Sequence, residues 1–181
     1  MYPYFELTVE LLDISPRIWR RFLLPTSASF LDLHKAIQAA SGCWKDYHLF
    51  EFSNGPTTNS EVIAGMPDDE APEVPEAGVI ALNHLFGADA EIGCIYRYDF
   101  GDCWRMKVSG KYSELPYKFK RCLLDGDRAF PPEDCGGTDG YDDCVLVATT
   151  GEDGDPITGR WLGRWKPDDW TLETAKRKFD R

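Results

Sequence analysis

The start of the chain alternates between apolar and polar side chains, the period of two that is typical of a β-strand with one buried face. The apolar positions are Phe5, Leu7, Val9 and Leu11, and the polar positions between them are Glu6, Thr8 and Glu10. Asp13 to Pro16 has the composition of a turn, and a second strand is predicted from Arg17 to Leu24. Because proline has no N–H to donate, Pro25 ends that strand. The pattern therefore predicts a β-hairpin.

A helix is predicted next, because apolar residues then recur every three or four positions. Ser29 is placed as its N-cap, Asp32 completes a capping box, and Gly42 ends the helix. The apolar positions of the helix are Phe30, Leu33, Ile37 and Ala40. Extended character resumes from Tyr47 to Phe52. The first third of the chain thus has the order strand, strand, helix, strand (ββαβ), which is similar to a β-grasp.

The rest of the chain predicts further strands and helices that extend the same core. They are a short helix (Ala81–Phe86), two strands (Ile92–Phe100 and Trp104–Tyr112) and two helices (near Tyr141–Ala148 and at Leu172–Phe179). We therefore predict a single α+β domain over residues 1–181. Its sheet is expected to be mainly antiparallel or mixed, with the helices packed on it.

One segment, residues 54–78, differs in composition from the chain around it. It is rich in Pro, Gly, Asp and Glu and has few large apolar residues. Such a segment buries too little apolar surface to offset the entropy lost on ordering. We predict a mobile acidic excursion at 54–78.

Charge narrows the classes of function. The chain has 31 acidic and 20 basic residues, a formal net charge of −11. A field of this sign repels phosphate backbones, so nucleic acid is disfavoured as a partner. No apolar run approaches the roughly 20 residues that span a bilayer, and the N-terminus has no secretory pattern. We expect no membrane partner and a cytoplasmic location.

Several short motifs, in this order and spacing, resemble one known family. They are Ile18-Trp19-Arg20-Arg21, Leu33-His34, Trp44 with His48-Leu49, Tyr98-Asp99-Phe100-Gly101-Asp102 followed by Trp104, and Pro131-Pro132-Glu133-Asp134-Cys135-Gly136-Gly137 with Gly140-Tyr141. Together they resemble the plasmid pRiA4b ORF-3-like family over most of the chain. The resemblance implies an α+β fold and a plasmid or mobile-element context, and it brings no established activity with it.

Three positions depart from the pattern of that family. Its members often have histidines where this chain has Phe50 and Met106, and a cysteine where it has Phe130. These apolar side chains lack the imidazole and thiolate donors that bind Zn²⁺. The resemblance therefore implies that any metal site formed by those positions is lost here, and we predict no metal and no cofactor.

Two acidic loops supply candidate functional groups. Asp99 and Asp102 lie in the turn between the two predicted central strands, and Glu133 and Asp134 lie in the double-proline, double-glycine loop. Carboxylates in loops can bind Mg²⁺ or serve as acid and base. They also cap turns and accept hydrogen bonds from backbone amides, and we favour this second interpretation because it is the commoner one.

Two histidines are candidates for the same cluster. His34 falls beside the apolar stripe of the predicted helix, and His48 begins the strand after it, so the two rings can approach each other. With Cys43 or Cys135 they would form a zinc site or a Cys-His nucleophile. A structural histidine with satisfied nitrogens is the commoner outcome.

Arg20 is a candidate for a structural ion pair. It shares the parity of Phe22 and Leu24, which places it on the buried face of its strand. A buried guanidinium needs a partner to offset its desolvation. We predict that Asp99 or Asp102 supplies the carboxylate.

Two functions from different classes follow. The favoured one is a non-catalytic binding or accessory module, whose aromatic residues Trp161, Trp165 and Trp170 contact a protein or peptide partner. The alternative is a metal-assisted hydrolase that uses the loop carboxylates with His34 or His48. A nucleic-acid accessory factor would suit a mobile-element context, but the net charge disfavours it.

Overall fold

The computed structural model of the protein describes residues 1–57, 59–86, 93–151 and 156–180. Seven strands of these residues form one antiparallel sheet: β1 (Tyr2–Leu11), β2 (Trp19–Pro25), β3 (Phe50–Ser53), β4 (Val62–Gly65), β5 (Gly93–Tyr98), β6 (Trp104–Leu115) and β7 (Cys122–Asp127). The described helices are α1 (Phe30–Ser41), α2 (Gly137–Thr150), α3 (Pro156–Leu162) and α4 (Leu172–Phe179), with a 3₁₀ turn at Leu82–His84. The strands lie in the order β4-β3-β5-β6-β1-β2-β7, which confirms the α+β class.

The hairpin predicted at the start of the chain lies toward one edge of the sheet, between β6 and the edge strand β7. β1 pairs antiparallel with β2, so that Leu7 lies opposite Phe22 and Val9 opposite Arg20. The other edge of β1 pairs with β6 along its whole length. A Cβ at Gly110 of β6 would lie 2.7 Å from Cδ2 of Leu7, so the Leu7 side chain packs directly on the backbone at Gly110. The alternating apolar face of β1 is buried, as its pattern predicted.

The first helix begins and ends at the predicted residues. The side chain of Ser29 accepts a hydrogen bond from the backbone N–H of Asp32 at 3.2 Å, and Asp32 accepts one from the N–H of Ser29 at 2.9 Å. Gly42 ends the helix with φ of 76°, a left-handed conformation that glycine adopts at little cost. Leu33 and Ile37 are fully buried in the core beneath α1.

The ββαβ order of the first third is present, but its strands are not all neighbours in space. β3 pairs with β4 and β5, and β5 and β6 lie between β3 and β1. The later β5–β6 hairpin supplies aromatic partners that β3 packs beside, with Tyr98 opposite both Phe50 and Trp104. The sheet therefore lacks the compact β-grasp arrangement that the element order suggested.

The segment 54–78, of which residue 58 lies outside the described part, contributes β4 to the edge of the sheet. After β4 the chain turns back beside Gly65. The N–H of Gly65 donates a 2.8 Å hydrogen bond to the carbonyl of Pro75, and the N–H of Ala77 donates a 2.8 Å hydrogen bond to the carbonyl of Gly65. Ala77 is buried in the core. The mobility of this segment stays a prediction.

Later elements follow the predictions with shifted ends. α4 has the predicted bounds, and α2 begins before its predicted start at Tyr141. Residue 92, the predicted first residue of a strand, lies outside the described part of the chain. None of the helices that the structure describes combines the length and the apolar character needed to cross a bilayer.

Candidate functional site

The two acidic loops meet in the folded chain. Asp99 follows β5 in a left-handed conformation (φ 55°), and its carboxylate accepts a hydrogen bond from the N–H of Gly101 at 3.0 Å. Asp102 accepts a hydrogen bond from the N–H of Gly136 at 3.0 Å, which joins the first loop to the second. At Gly137 (φ 73°), a side chain would meet the carbonyl oxygen of Asp102 at 2.7 Å. The double glycine thus permits the backbones to approach.

His48 lies between the two loops. Its Nε2 is 2.9 Å from Oδ1 of Asp134 and 3.4 Å from Oδ2 of Asp99. One donor atom from each of these three residues lies within 4.8 Å of the others. Asp99 is buried, while half of the Asp134 side chain is exposed, so the group opens to solvent on one side. We call these three residues the His48 cluster.

Tyr47 completes one edge of the His48 cluster. Its hydroxyl donates a hydrogen bond to Oδ2 of Asp134, the oxygen that His48 does not contact. This bond favours the carboxylate, so it lowers the pKa of Asp134, and the same bond raises the pKa of Tyr47 to about 12. Asp134 is therefore an anion, and Tyr47 a neutral donor, at neutral pH.

Glu133 is next to the cluster in sequence but has a different role. Its side chain is buried, and Oε1 accepts a 2.6 Å hydrogen bond from the hydroxyl of Tyr98. Oε2 accepts a 2.8 Å hydrogen bond from the backbone N–H of Lys45. Burial and this contact with Glu133 raise the pKa of Tyr98. Both oxygens of Glu133 are thus occupied in holding the loop to the sheet.

His34 does not join the cluster. His34 is on the buried face of α1. Its Nδ1 is 2.8 Å from the hydroxyl of Tyr96, and its Nε2 contacts the carboxylate of Asp46. Its ring stacks on Phe50 with centroids 3.6 Å apart. Burial lowers the pKa of His34, and the contact with Asp46 opposes that effect. Both nitrogens are satisfied, which is the structural interpretation of this residue.

The chemistry that the His48 cluster supports is cation binding. An imidazole nitrogen and two carboxylate oxygens are donors for divalent ions of the first transition series. Three protein ligands leave coordination positions open to water. Among the histidine, cysteine, aspartate and glutamate side chains that the structure describes, those of His48, Asp99 and Asp134 have donor atoms close enough together to hold one metal ion.

The three positions that depart from the family pattern lie elsewhere, in the core. Phe50, Met106 and Phe130 are all at most 2 % exposed. Phe50 stacks on His34, and Phe130 packs its edge on Trp44. They contribute apolar packing, as their side chains predict.

The ion pair predicted for Arg20 is wrong in its partner. Arg20 is fully buried, as its parity predicted, but its guanidinium donates to backbone carbonyls at 2.7–3.1 Å. The acceptors are Trp19, Ala40, Asp127 and Arg128. Asp99 and Asp102 are instead engaged by the loop amides described above. Main-chain carbonyls at the ends of α1, β2 and β7 satisfy the guanidinium without a carboxylate.

The three late tryptophans have different environments. Trp161 is half exposed. Trp165 is partly buried and donates its indole N–H to the carbonyl of Phe130 at 2.9 Å. Trp170 covers the guanidinium of Arg20, with 4.4 Å between its ring centre and the guanidinium carbon. Two of the three therefore pack partly on the core.

Lys45, Asp46 and Tyr47 contribute to these sites and were not predicted. Tyr47 and Asp46 precede His48 and Lys45 follows Trp44, in a short stretch without regular structure. Asp46 has φ of 59°, a left-handed conformation that aspartate tolerates, and this turns its carboxylate toward His34. The cluster of polar residues between a helix and a strand was the available signal.

Comparisons with known proteins agree with this fold. The crystal structure of a protein of unknown function, MM3350 from Methanosarcina mazei Go1, superposes with a TM-score of 0.79, is 32% identical and covers 96% of each chain. The uncharacterized protein y4hQ of Sinorhizobium fredii is 30% identical over 162 residues, which are 87% of this chain and 80% of y4hQ. The family model described as plasmid pRiA4b ORF-3-like protein matches residues 3–175. This chain therefore belongs to the plasmid pRiA4b ORF-3-like family.

Proposed function

We propose that this protein is a non-catalytic binding module and that, contrary to the sequence prediction of no metal, a divalent cation binds at the His48 cluster. The observation that carries the proposal is the convergence of His48, Asp99 and Asp134, whose donor atoms lie within 4.8 Å of one another. Two carboxylates around one imidazole form a site whose negative charge favours a cation.

The three ligands are already held in place. Asp99 is fixed by the turn, and its backbone N–H donates to the carbonyl of Leu49 at 3.0 Å, one residue from His48. Asp134 is oriented by Tyr47. Because the mixed nitrogen and oxygen donors suit Zn²⁺ or Mn²⁺ better than Mg²⁺ or Ca²⁺, we expect the first two ions to bind more tightly.

A second candidate, a metal-assisted hydrolase, is favoured by the coordination positions that three ligands leave open. A hydrolase needs a free general base. Glu133, the buried carboxylate next to Asp134 in the sequence, is not free, because its two oxygens accept hydrogen bonds from the Tyr98 hydroxyl and the Lys45 backbone N–H. This is the reason for placing the binding module first.

The test is titration of the metal-free protein with Zn²⁺, Mn²⁺ and Mg²⁺, followed by calorimetry and by thermal unfolding. A ligand present at 100 times its Kd stabilises the folded state by about 2.7 kcal/mol. His48→Ala should abolish the stabilisation by Zn²⁺. His84→Ala is the matched control, because His84 is an exposed histidine that is not part of the cluster, and this variant should bind Zn²⁺ like the unaltered protein. Equal Zn²⁺ affinity of all three proteins would refute the cation site.

Turnover separates the two candidates. The Zn²⁺- and Mn²⁺-loaded protein is assayed for hydrolysis of p-nitrophenyl phosphate and p-nitrophenyl acetate. Hydrolysis that His48→Ala abolishes and His84→Ala retains would favour the hydrolase, and no hydrolysis with a filled site would favour the binding module. A protein or peptide partner and a cytoplasmic location stay predictions from the sequence.

A further inference from the structure

A second feature, independent of the His48 cluster, is a cavity of about 320 Å³ between the end of α1 and the C-terminal segment. Its wall includes the side chains of Trp165, Trp170 and Phe130, with Ala39 of α1 on another side. This volume is within the range of small-molecule sites, and aromatic walls with few polar groups are typical of them. The rings provide flat apolar surface for a ligand to contact.

The wall of this cavity has a positive charge behind it. The guanidinium of Arg20 lies 4.4 Å from the ring centre of Trp170 and 4.8 Å from that of Phe130, and both rings line the cavity. Arg20 is fully buried, its guanidinium donates hydrogen bonds to backbone carbonyls, and no carboxylate of the described residues lies at ion-pair distance from it, so its positive charge is retained. A buried charge of this kind acts over a longer distance than a solvated one.

The rim of the cavity carries a second cation. Lys178 of α4 lines the cavity, and its two neighbours on the helix are paired: Lys176 with Asp180 and Arg177 with Glu173. In the part of the chain that the structure describes, no such pair involves Lys178. One carboxylate, Asp169, also lies at the rim. Two cations and one anion thus surround a cavity in a protein whose formal charge is −11.

We infer that this cavity binds a small aromatic carboxylate, with the ring against Trp165 and Trp170 and the carboxylate toward Lys178. Lys178 supplies a charge-assisted hydrogen bond, and Arg20 adds attraction through the aromatic wall. The inference does not depend on the cation site, since none of the three residues of the His48 cluster lines the cavity.

The test uses naphthalene-2-carboxylate and its neutral counterpart naphthalene-2-carboxamide, which have nearly the same shape. Calorimetric titration of the unaltered protein should show tighter binding of the carboxylate by about tenfold. Lys178→Met should remove most of that preference and leave the affinity for the amide unchanged. Arg177→Met is the matched control, because it removes a cation one position away that is paired on the helix surface, and it should keep the preference.

A variant that fills the cavity tests the location. Ala39→Phe should weaken binding of both compounds by about tenfold or more, and its urea-unfolding midpoint shows whether it still folds. Lack of binding to the unaltered protein would overturn the inference, as would equal affinity for the two compounds. A preference that Lys178→Met retains would also overturn it.

Discussion

His34 and His48 differ in what surrounds them, although both have an aspartate beside Nε2 and a tyrosine nearby. The His34 side chain is 2 % exposed, and both of its nitrogens have partners inside the core. The His48 side chain is 25 % exposed, and its Nε2 faces two carboxylates. One environment is closed, and the other is open to solvent.

This comparison shows that residue types alone do not distinguish a structural histidine from a ligand. The same His-Asp-Tyr set stabilises the fold when it is buried and satisfied, because each polar group gains a hydrogen bond in a medium that cannot replace it. At His48 the residues are partly exposed, and two carboxylates face a single imidazole nitrogen. The excess negative charge there still attracts a cation. The following predictions test this distinction, in order of decreasing effect.

The largest effect is expected at the closed site. His34→Ala should lower the free energy of unfolding by about 3 kcal/mol, because it opens a cavity and leaves the hydroxyl of Tyr96 and the carboxylate of Asp46 without their partner. His48→Ala should lower it by less than about 1 kcal/mol. Urea unfolding of both metal-free variants measures the difference. Equal losses would contradict the contrast between closed and open sites.

The next effect concerns the contact between the acidic loops. Gly137→Ala should cost about 2 kcal/mol and weaken Zn²⁺ binding, because its side chain would lie 2.7 Å from the carbonyl oxygen of Asp102 and force the loops apart. Gly151→Ala is the control: Gly151 has a similar φ of 69°, but no atom lies within 4 Å of the added side chain. It should cost about 1 kcal/mol and leave Zn²⁺ affinity unchanged. Similar Zn²⁺ affinities in the two variants would show that the contact between the loops does not hold the Zn²⁺ ligands in place.

A smaller effect should follow from pH. Burial lowers the pKa of His34 in the folded state below its unfolded value of about 6.5. The unfolded chain therefore binds a proton first, so the stability that neutral His34 contributes is present above pH ~6.5 and is lost as the pH falls through the folded pKa. His34→Gln has no such proton to bind. The stability difference between the two proteins, measured by urea unfolding, should shrink from pH 7.5 to pH 5.5, and a constant difference would contradict it.

The smallest effect is expected at Tyr47. Tyr47→Phe removes the hydrogen bond to Asp134, so the pKa of Asp134 should rise toward its ordinary value. Because both side chains are exposed, stability should change by less than about 0.5 kcal/mol. NMR titration of the Asp134 carboxyl carbon measures the change in pKa. An unchanged pKa would mean that Tyr47 does not orient this carboxylate.

Local patterns predicted the elements well where each residue's role depends on its neighbours in sequence. The alternation in β1, the capping box at Ser29 and the bounds of α4 all follow from short-range geometry. The sheet order does not, since the β5–β6 hairpin inserts between β1 and β3 from far along the chain. Likewise, parity placed Arg20 in the core, while carbonyl acceptors such as Ala40 of α1 and Asp127 of β7 are distant in sequence.

The candidate residues were predicted as one group, and the fold divides them. Asp99, Asp134 and His48 come together, while His34 is held in the core by Asp46. Periodicity and charge, which the sequence alone determines, gave the α+β class, the buried faces and the acidic loops. Only the tertiary structure decided which carboxylates are occupied and which remain open, because that depends on backbone amides and solvent brought close by distant parts of the chain.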